Sequence, residues 1–201
     1  MGTNRVKAPA GALVVFGLDG KIRQTISGLD RPNNVDVEYG LIVGGQPTDI
    51  AVLTERLKHR LRIFKISRDG GLLTDISSDG GAPVLEGETG ERSEPMGIAL
   101  YRRPRDGAVF AIISPKTGPR QGYLWEYRLE DDGAGRVKAT QVRRFGGFSG
   151  TDGIEVVSAG LGPQFPHGLL VVMNAGPKNF LVYRWEEIAD TGSPTLKVAR
   201  R

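Results

Sequence analysis

The chain contains no cysteine, which excludes disulfides, thiolate metal sites and cysteine nucleophiles. Only two histidines occur, His59 and His167, far apart in sequence and without metal-ligand spacing. No apolar stretch approaches the roughly 18 residues of a membrane span, and residues 1–11 lack the apolar run of a leader peptide. As written, the chain is expected to stay in the cytoplasm and away from membranes. Helical periodicity is nearly absent, the best candidate being one or two turns at residues 185–190. No strand-turn Gly-x-Ser-x-Gly is present, and Gly160-Leu-Gly162 lacks the lysine and following helix of a phosphate loop, so it reads as a turn.

What remains is an ordinary globular composition: 201 residues, 27 Lys plus Arg against 23 Asp plus Glu, 39% hydrophobic and 25% charged. A chain of this length folded as one domain removes about two-thirds of its unfolded surface from water. Glycine at 29 and proline at 12 indicate many turns and argue against a helical bundle. The apolar stretches are short, rich in Val, Ile, Leu, Phe and Tyr, and bounded by Gly, Pro, Asp or Asn, the pattern of strands joined by tight turns. An all-β fold follows. Asp19-Gly20, Asp69-Gly70-Gly71 and Asp106-Gly107 mark hairpins, because glycine takes positive φ without steric cost.

The strands group in fours. Residues 35–39, 49–54, 61–66 and 72–76 form one set, residues 97–101, 109–114, 123–129 and 137–145 a second, and residues 154–158, 168–173, 180–185 and 195–199 a third. Their second strands start near Asp49, Ala108 and Gly168, steps of 59 and 60 residues. Repeated four-stranded meanders of equal length are the signature of propeller blades. Residues 12–18 and 21–26 add half of a fourth, so the expectation is a β-propeller-like array of about three and a half antiparallel blades, fewer than the roughly four to eight that close a ring. A pair of β-sandwich domains is the alternative, against which the equal step and the lack of a linker both weigh.

Three segments resemble the β-propeller phytases, calcium-dependent enzymes that remove phosphates from inositol hexakisphosphate. They are Arg31-Pro-Asn-Asn-Val-Asp-Val-Glu-Tyr39 with Thr54-Glu-Arg56; Glu94-Pro-Met-Gly-Ile-Ala-Leu-Tyr101 with Ser114-Pro-Lys-Thr-Gly118 and Tyr123-Leu-Trp-Glu-Tyr127; and Thr151-Asp-Gly-Ile-Glu-Val156 with residues 160–170 and 179–189. Their order matches the family's order. The resemblance implies one phytase-like propeller domain over residues 1–201, calcium as cofactor, and an inositol polyphosphate or other phosphate ester as ligand. It also implies an internal deletion whose seam lies near residues 146–151, because two acidic-rich blades of the family have no counterpart there. Members of the family are typically secreted.

The same resemblance assigns site residues. Asp152, Glu155 and Asn174 lie near the family's structural calcium sites, and Asp36 lies in a strand that helps to ligate one; Asn174 stands where many members have Asp. Lys7, Arg56 and Lys116 fall at phosphate-contacting positions. Met96 stands where members commonly place Tyr, and a thioether cannot replace a phenol as ligand or donor. Phosphomonoester hydrolysis needs charge neutralisation and an activated water, which bound metal ions supply. Loss of the acidic blades therefore leaves two readings, a calcium-dependent phosphatase of reduced activity and an inactive remnant that binds phosphate esters or a protein partner. A net charge of +4 suits a polyanion. The basic clusters at residues 56–62, 102–105, 143–144 and 200–201 are not interleaved with aromatics, which argues against nucleic acid. Exposed blade edges invite pairing, and a homodimer of two three-bladed copies would close a six-bladed ring.

Overall fold

The computed structural model describes residues 1–86, 91–116 and 122–189. It is built of antiparallel β-sheets with one short helix. The chain divides into two compact units, residues 1–96 with 129–140 and residues 97–128 with 141–201.

In the first unit, β1 (Gly2–Asn4), β2 (Gly11–Phe16) and β3 (Ile22–Leu29) form a three-stranded sheet in that order. β4 (Pro32–Val43), β5 (Gln46–Glu55), β6 (Arg60–Ile66) and β7 (Leu73–Asp75) form a four-stranded meander. β8 (Ala82–Pro83) pairs with the start of β6, and β9 (Leu85–Glu86) pairs with β10 (Glu91–Arg92). The first two sheets pack together through Leu13, Val15 and Leu29 on one side and Ala51, Leu53, Phe64 and Leu73 on the other, all fully or almost fully buried. Each such Val, Leu or Phe side chain contributes about 1.5–3 kcal/mol relative to exposure. This core is what fixes the register of β2 against β3 and of β5 against β6, since a slip of one residue would turn the buried side chains of a strand to the opposite face.

In the second unit, β11 (Pro95–Arg102), β12 (Val109–Pro115), β13 (Gly122–Asp131) and β14 (Val137–Phe148) make the next meander, its first two residues and the tip of the last hairpin grouping with the first unit. β12 is buried at every position, the pattern of a central strand covered on both faces. β15 (Ile154–Val157), β16 (Leu169–Asn174) and β17 (Asn179–Arg184) form a three-stranded sheet followed by α1 (Trp185–Ala189). The two sheets share a core of Tyr101, Phe110, Ile112, Leu124 and Phe145 against Leu170, Val172, Tyr183 and Trp185.

The all-β, propeller-like array of antiparallel meanders read from the sequence is the observed fold class. Several details differ. The leading half-blade is a sheet of three strands, because β1, too short and polar to show alternation, pairs with β2 through Gly2 to Val14, Thr3 to Leu13 and Asn4 to Ala12. β4 is longer than residues 35–39, running from Pro32 to Val43 with irregularities that absorb its glycine. The strand expected at residues 195–199 lies outside the described residues. The helix expected at 185–190 is present over Trp185–Ala189.

Candidate functional site

The first unit gathers basic residues at one end of its sheets. β5 ends at Glu55, paired with Arg60 at the start of β6, and at this end three chain segments meet. The Arg31 amide donates to the Val6 carbonyl (3.0 Å), and the Arg31 carbonyl accepts from the Arg56 amide (3.2 Å). Leu57 N–H donates to the Asp30 carbonyl (3.2 Å). Val6, the residue before Lys7, and Arg56 are thus joined through Arg31 by a continuous backbone ladder.

Arg31 is held in the left-handed region at φ 56. For a residue with a side chain this region is costly, and the following proline restricts it further. Its neighbour Asp30 anchors the junction: its carboxylate accepts from the Ala8 amide (3.3 Å), and its own amide donates to Glu55 Oε1 (2.8 Å). Glu55 is 1% exposed, and its Oε2 takes Arg60 Nε at 2.6 Å and Arg62 at 3.6 Å. A carboxylate so buried persists because it is paired on both oxygens. Arg62 also pairs with Asp75. Burial pulls the Asp75 carboxyl up, but bonds from the Ser77 amide and hydroxyl and from Arg62 outweigh it and hold it below the usual range.

Arg56 itself is buried, with Nε donating to Glu94 Oε2 at 2.5 Å. That pairing orients the guanidinium while its terminal nitrogens make no bond among the described residues. Lys7 is exposed and Arg31 half-buried, and neither side chain has a partner among the described residues. Lys116 follows β12 in the second unit and is exposed. Arg31 is the residue that sequence reading left unassigned; its signal is the Asp-Arg-Pro step between two strands, visible only once the left-handed backbone is known.

Of the proposed metal ligands, Asp36 belongs to the first unit and Asp152, Glu155 and Asn174 to the second. Asp36 lies within β4, opposite Val52, and its Oδ1 accepts from the Val37 amide (2.8 Å). In the second unit Asp152 and Asn174 come together at one end of β15 and β16, where Met173 N–H donates to the Gly153 carbonyl and Ala175 N–H to the Gly150 carbonyl. The Asn174 carboxamide is engaged there: Oδ1 accepts from the Ser149 amide (2.9 Å) and hydroxyl (2.6 Å), and Nδ2 donates to Asn179 Oδ1 (3.0 Å). Asn174 therefore closes a loop. Glu155 leaves β15 by the face opposite Ile154 and Val156, which turn to the core, and is exposed. Among the described residues no group of three or more histidine or acidic side chains is placed to hold a metal ion. Calcium takes six to eight oxygen ligands, a requirement that this donor set does not meet. Met96 is buried, and its carbonyl accepts from Asn33 Nδ2 (2.7 Å) and the Thr54 hydroxyl (3.0 Å), so its backbone ties β4 and β5 to the start of β11.

Comparison with known proteins gives one consistent answer. The family model described as Phytase matches residues 3–146. A 3-phytase of Bacillus subtilis (strain 168) is 33% identical over 144 residues, which is 71% of this chain and 35% of that protein. The chain thus spans about a third of the length of the curated relative it matches. Lys7, Asp36, Arg56 and Lys116 fall inside the matched stretch; Asp152, Glu155 and Asn174 fall outside it. With most of its length matched by the family model, and with a relative of this identity, the chain belongs to the phytase family.

Proposed function

We propose that the chain binds the phosphate groups of an inositol polyphosphate, or of a related phosphate ester, through Lys7, Arg31 and Arg56 at one end of the first unit, and that it releases phosphate slowly or not at all. The observation that carries this is the backbone ladder from Val6 through Arg31 to Arg56. It sets three cationic residues at one strand end at the expense of a strained Arg31, about 1–3 kcal/mol for such a conformation. Strain of that size persists where surrounding structure or a ligand over-determines it. Arginine forks match phosphate oxygens two at a time, and Glu94 holds the Arg56 fork in one orientation. The relative described as a 3-phytase supports the substrate class. Calcium remains the family's implied cofactor, although among the described residues no group of three or more histidine or acidic side chains is placed to hold it. Binding without efficient turnover is what these residues support.

Isothermal calorimetry with inositol hexakisphosphate tests this reading. Arg56→Ala and Arg31→Ala should each weaken binding about tenfold or more, since a charge-assisted hydrogen bond contributes roughly 1.5–3 kcal/mol. Arg68→Ala is the control, because Arg68 follows β6 at the opposite end of the sheet, beyond the Asp49 to Ile66 pair. Equal losses at all three positions would indicate a diffuse field in place of a site.

A further inference from the structure

Glu55, the last residue of β5, is 1% exposed and more deeply buried than any other charged residue among the described residues. Taking a carboxylate out of water is costly, and an apolar residue of similar volume often serves a fold as well or better. What an apolar residue could not do is hold the groups that this carboxylate holds. Oε1 accepts from the Asp30 amide at 2.8 Å, and Oε2 takes Arg60 Nε at 2.6 Å with Arg62 Nη1 at 3.6 Å. Asp30 immediately precedes Arg31, whose left-handed backbone at φ 56 persists only where its surroundings impose it. Three groups grip Asp30. Its carboxylate accepts from the Ala8 amide (3.3 Å), its carbonyl accepts from the Leu57 amide (3.2 Å), and its amide donates to Glu55. Ala8 lies in an exposed turn and Leu57 in a single 3-10 turn, whereas Glu55 belongs to a strand paired with Pro32 on one side and Arg60 on the other. Of the three, Glu55 is the rigid one.

The Arg60 bond fixes the carboxylate from its far side, so the oxygen offered to Asp30 is held in one place by the neighbouring strand. From there the constraint passes along the backbone: the Asp30 amide is fixed, Arg31 follows it, and the Arg31 carbonyl accepts from the Arg56 amide (3.2 Å). We propose that Glu55 is a positioning residue for the basic end of the first unit: without touching the ligand, it sets the turn at Asp30 and Arg31, and through it Arg56, in the geometry that binding requires. The role rests on Arg31 and Arg56 being the cations that bind the ligand, but the locking of the turn is measurable with no ligand present. Charge alone predicts the opposite behaviour. Deleting a negative group beside a site for a polyanion lessens repulsion and tightens binding, whereas deleting a positioning group loosens the turn and weakens it.

Amide hydrogen exchange on the full chain, read by NMR, tests the lock, and calorimetry with inositol hexakisphosphate tests its consequence. Glu55→Leu fills the same space without an acceptor, and Glu55→Gln keeps an acceptor for the Asp30 amide. In Glu55→Leu the amides of Asp30, Arg31 and Arg56 should exchange at least about tenfold faster, while those of Ala51 and Val52, in the part of β5 paired on both sides, keep their rates. Glu55→Gln should return the three amides to within about threefold of the unaltered chain. Affinity should follow, weakened about tenfold in Glu55→Leu and rescued to within about threefold in Glu55→Gln. In the unaltered chain the three amides should exchange together, within about threefold, a measurement that stands should Glu55→Leu not fold. The lock is overturned by unchanged exchange at Arg31 and Arg56 in Glu55→Leu, or by an Asp30 amide that exchanges more than about tenfold faster than the other two in the unaltered chain. Unchanged or tighter binding by a folded Glu55→Leu overturns the positioning role. No binding by the unaltered chain would remove the phosphate site and with it the role of Glu55, while the exchange rates would still report the lock.

Discussion

Arg31 separates stability from binding at a single residue. Its left-handed backbone, φ 56 immediately before Pro32, is one that glycine adopts freely and arginine does not. Arg31→Gly should therefore keep the amide and carbonyl bonds to Val6 and Arg56 while relieving strain, and so raise stability by about 1 kcal/mol or leave it unchanged. Its affinity for inositol hexakisphosphate should fall with the lost guanidinium. Opposite signs in a denaturant titration and a binding titration of the same variant are the expected result; a parallel loss of both would mean that the side chain serves the fold. Asn174 teaches the complementary lesson. In sequence it is a weakened carboxylate position, whereas in the structure its carboxamide closes a loop with Ser149 and Asn179, a role that follows from neighbours 25 and 5 positions away.

At the scale of elements, the turn before β16 sets where α1 begins. Gly168 has φ +93, and a Cβ built on it would stand 1.8 Å from the Val157 carbonyl oxygen. Its own carbonyl accepts from the Trp185 amide (3.2 Å), so the start of α1 is fixed by the same residue. Gly168→Ala should destabilise the chain by about 2–3 kcal/mol, through both strain and backbone collision, and should loosen Trp185. The denaturant midpoint measures the first effect and the Trp185 emission maximum, read in a Trp125→Phe background, the second. A change smaller than about 0.5 kcal/mol, the range of neutral surface substitutions, would show that β15 and β16 shift apart easily. The hairpins themselves were legible beforehand, since Asp19-Gly20, Asp69-Gly70-Gly71 and Asp106-Gly107 all fall between paired or adjacent strands.

At the scale of the whole molecule the question is calcium. A ligand that binds only the native state raises stability by mass action, so millimolar calcium should shift the thermal midpoint if Asp36, Asp152 and Glu155 ligate it. Because no acidic cluster that could hold a metal forms among the described residues and the side chain of Asn174 is engaged, the expected shift is within error. Phosphate release from inositol hexakisphosphate near neutral pH should likewise be very low, with or without a chelator, because metal ions are the main source of water activation and charge neutralisation in this chemistry. Robust calcium-dependent release would show that other acidic residues complete a working site, and binding without turnover would have to be abandoned.

The sequence by itself determined the strand periodicity, the hairpin turns, the all-β class and the family, because each of these depends on residues close together in the chain or on motifs that survive intact. Tertiary structure alone decided which cations share an end. Val6, beside Lys7, is linked to Arg31 and Arg31 to Arg56 through hydrogen bonds spanning 25 residues each, and those depend on the register with which β2, β4 and β5 pair and pack. It decided likewise that Glu55 accepts from the Asp30 amide, 25 positions away. Alternation within a strand reports which face is buried, but carries no information about what another strand brings to its end.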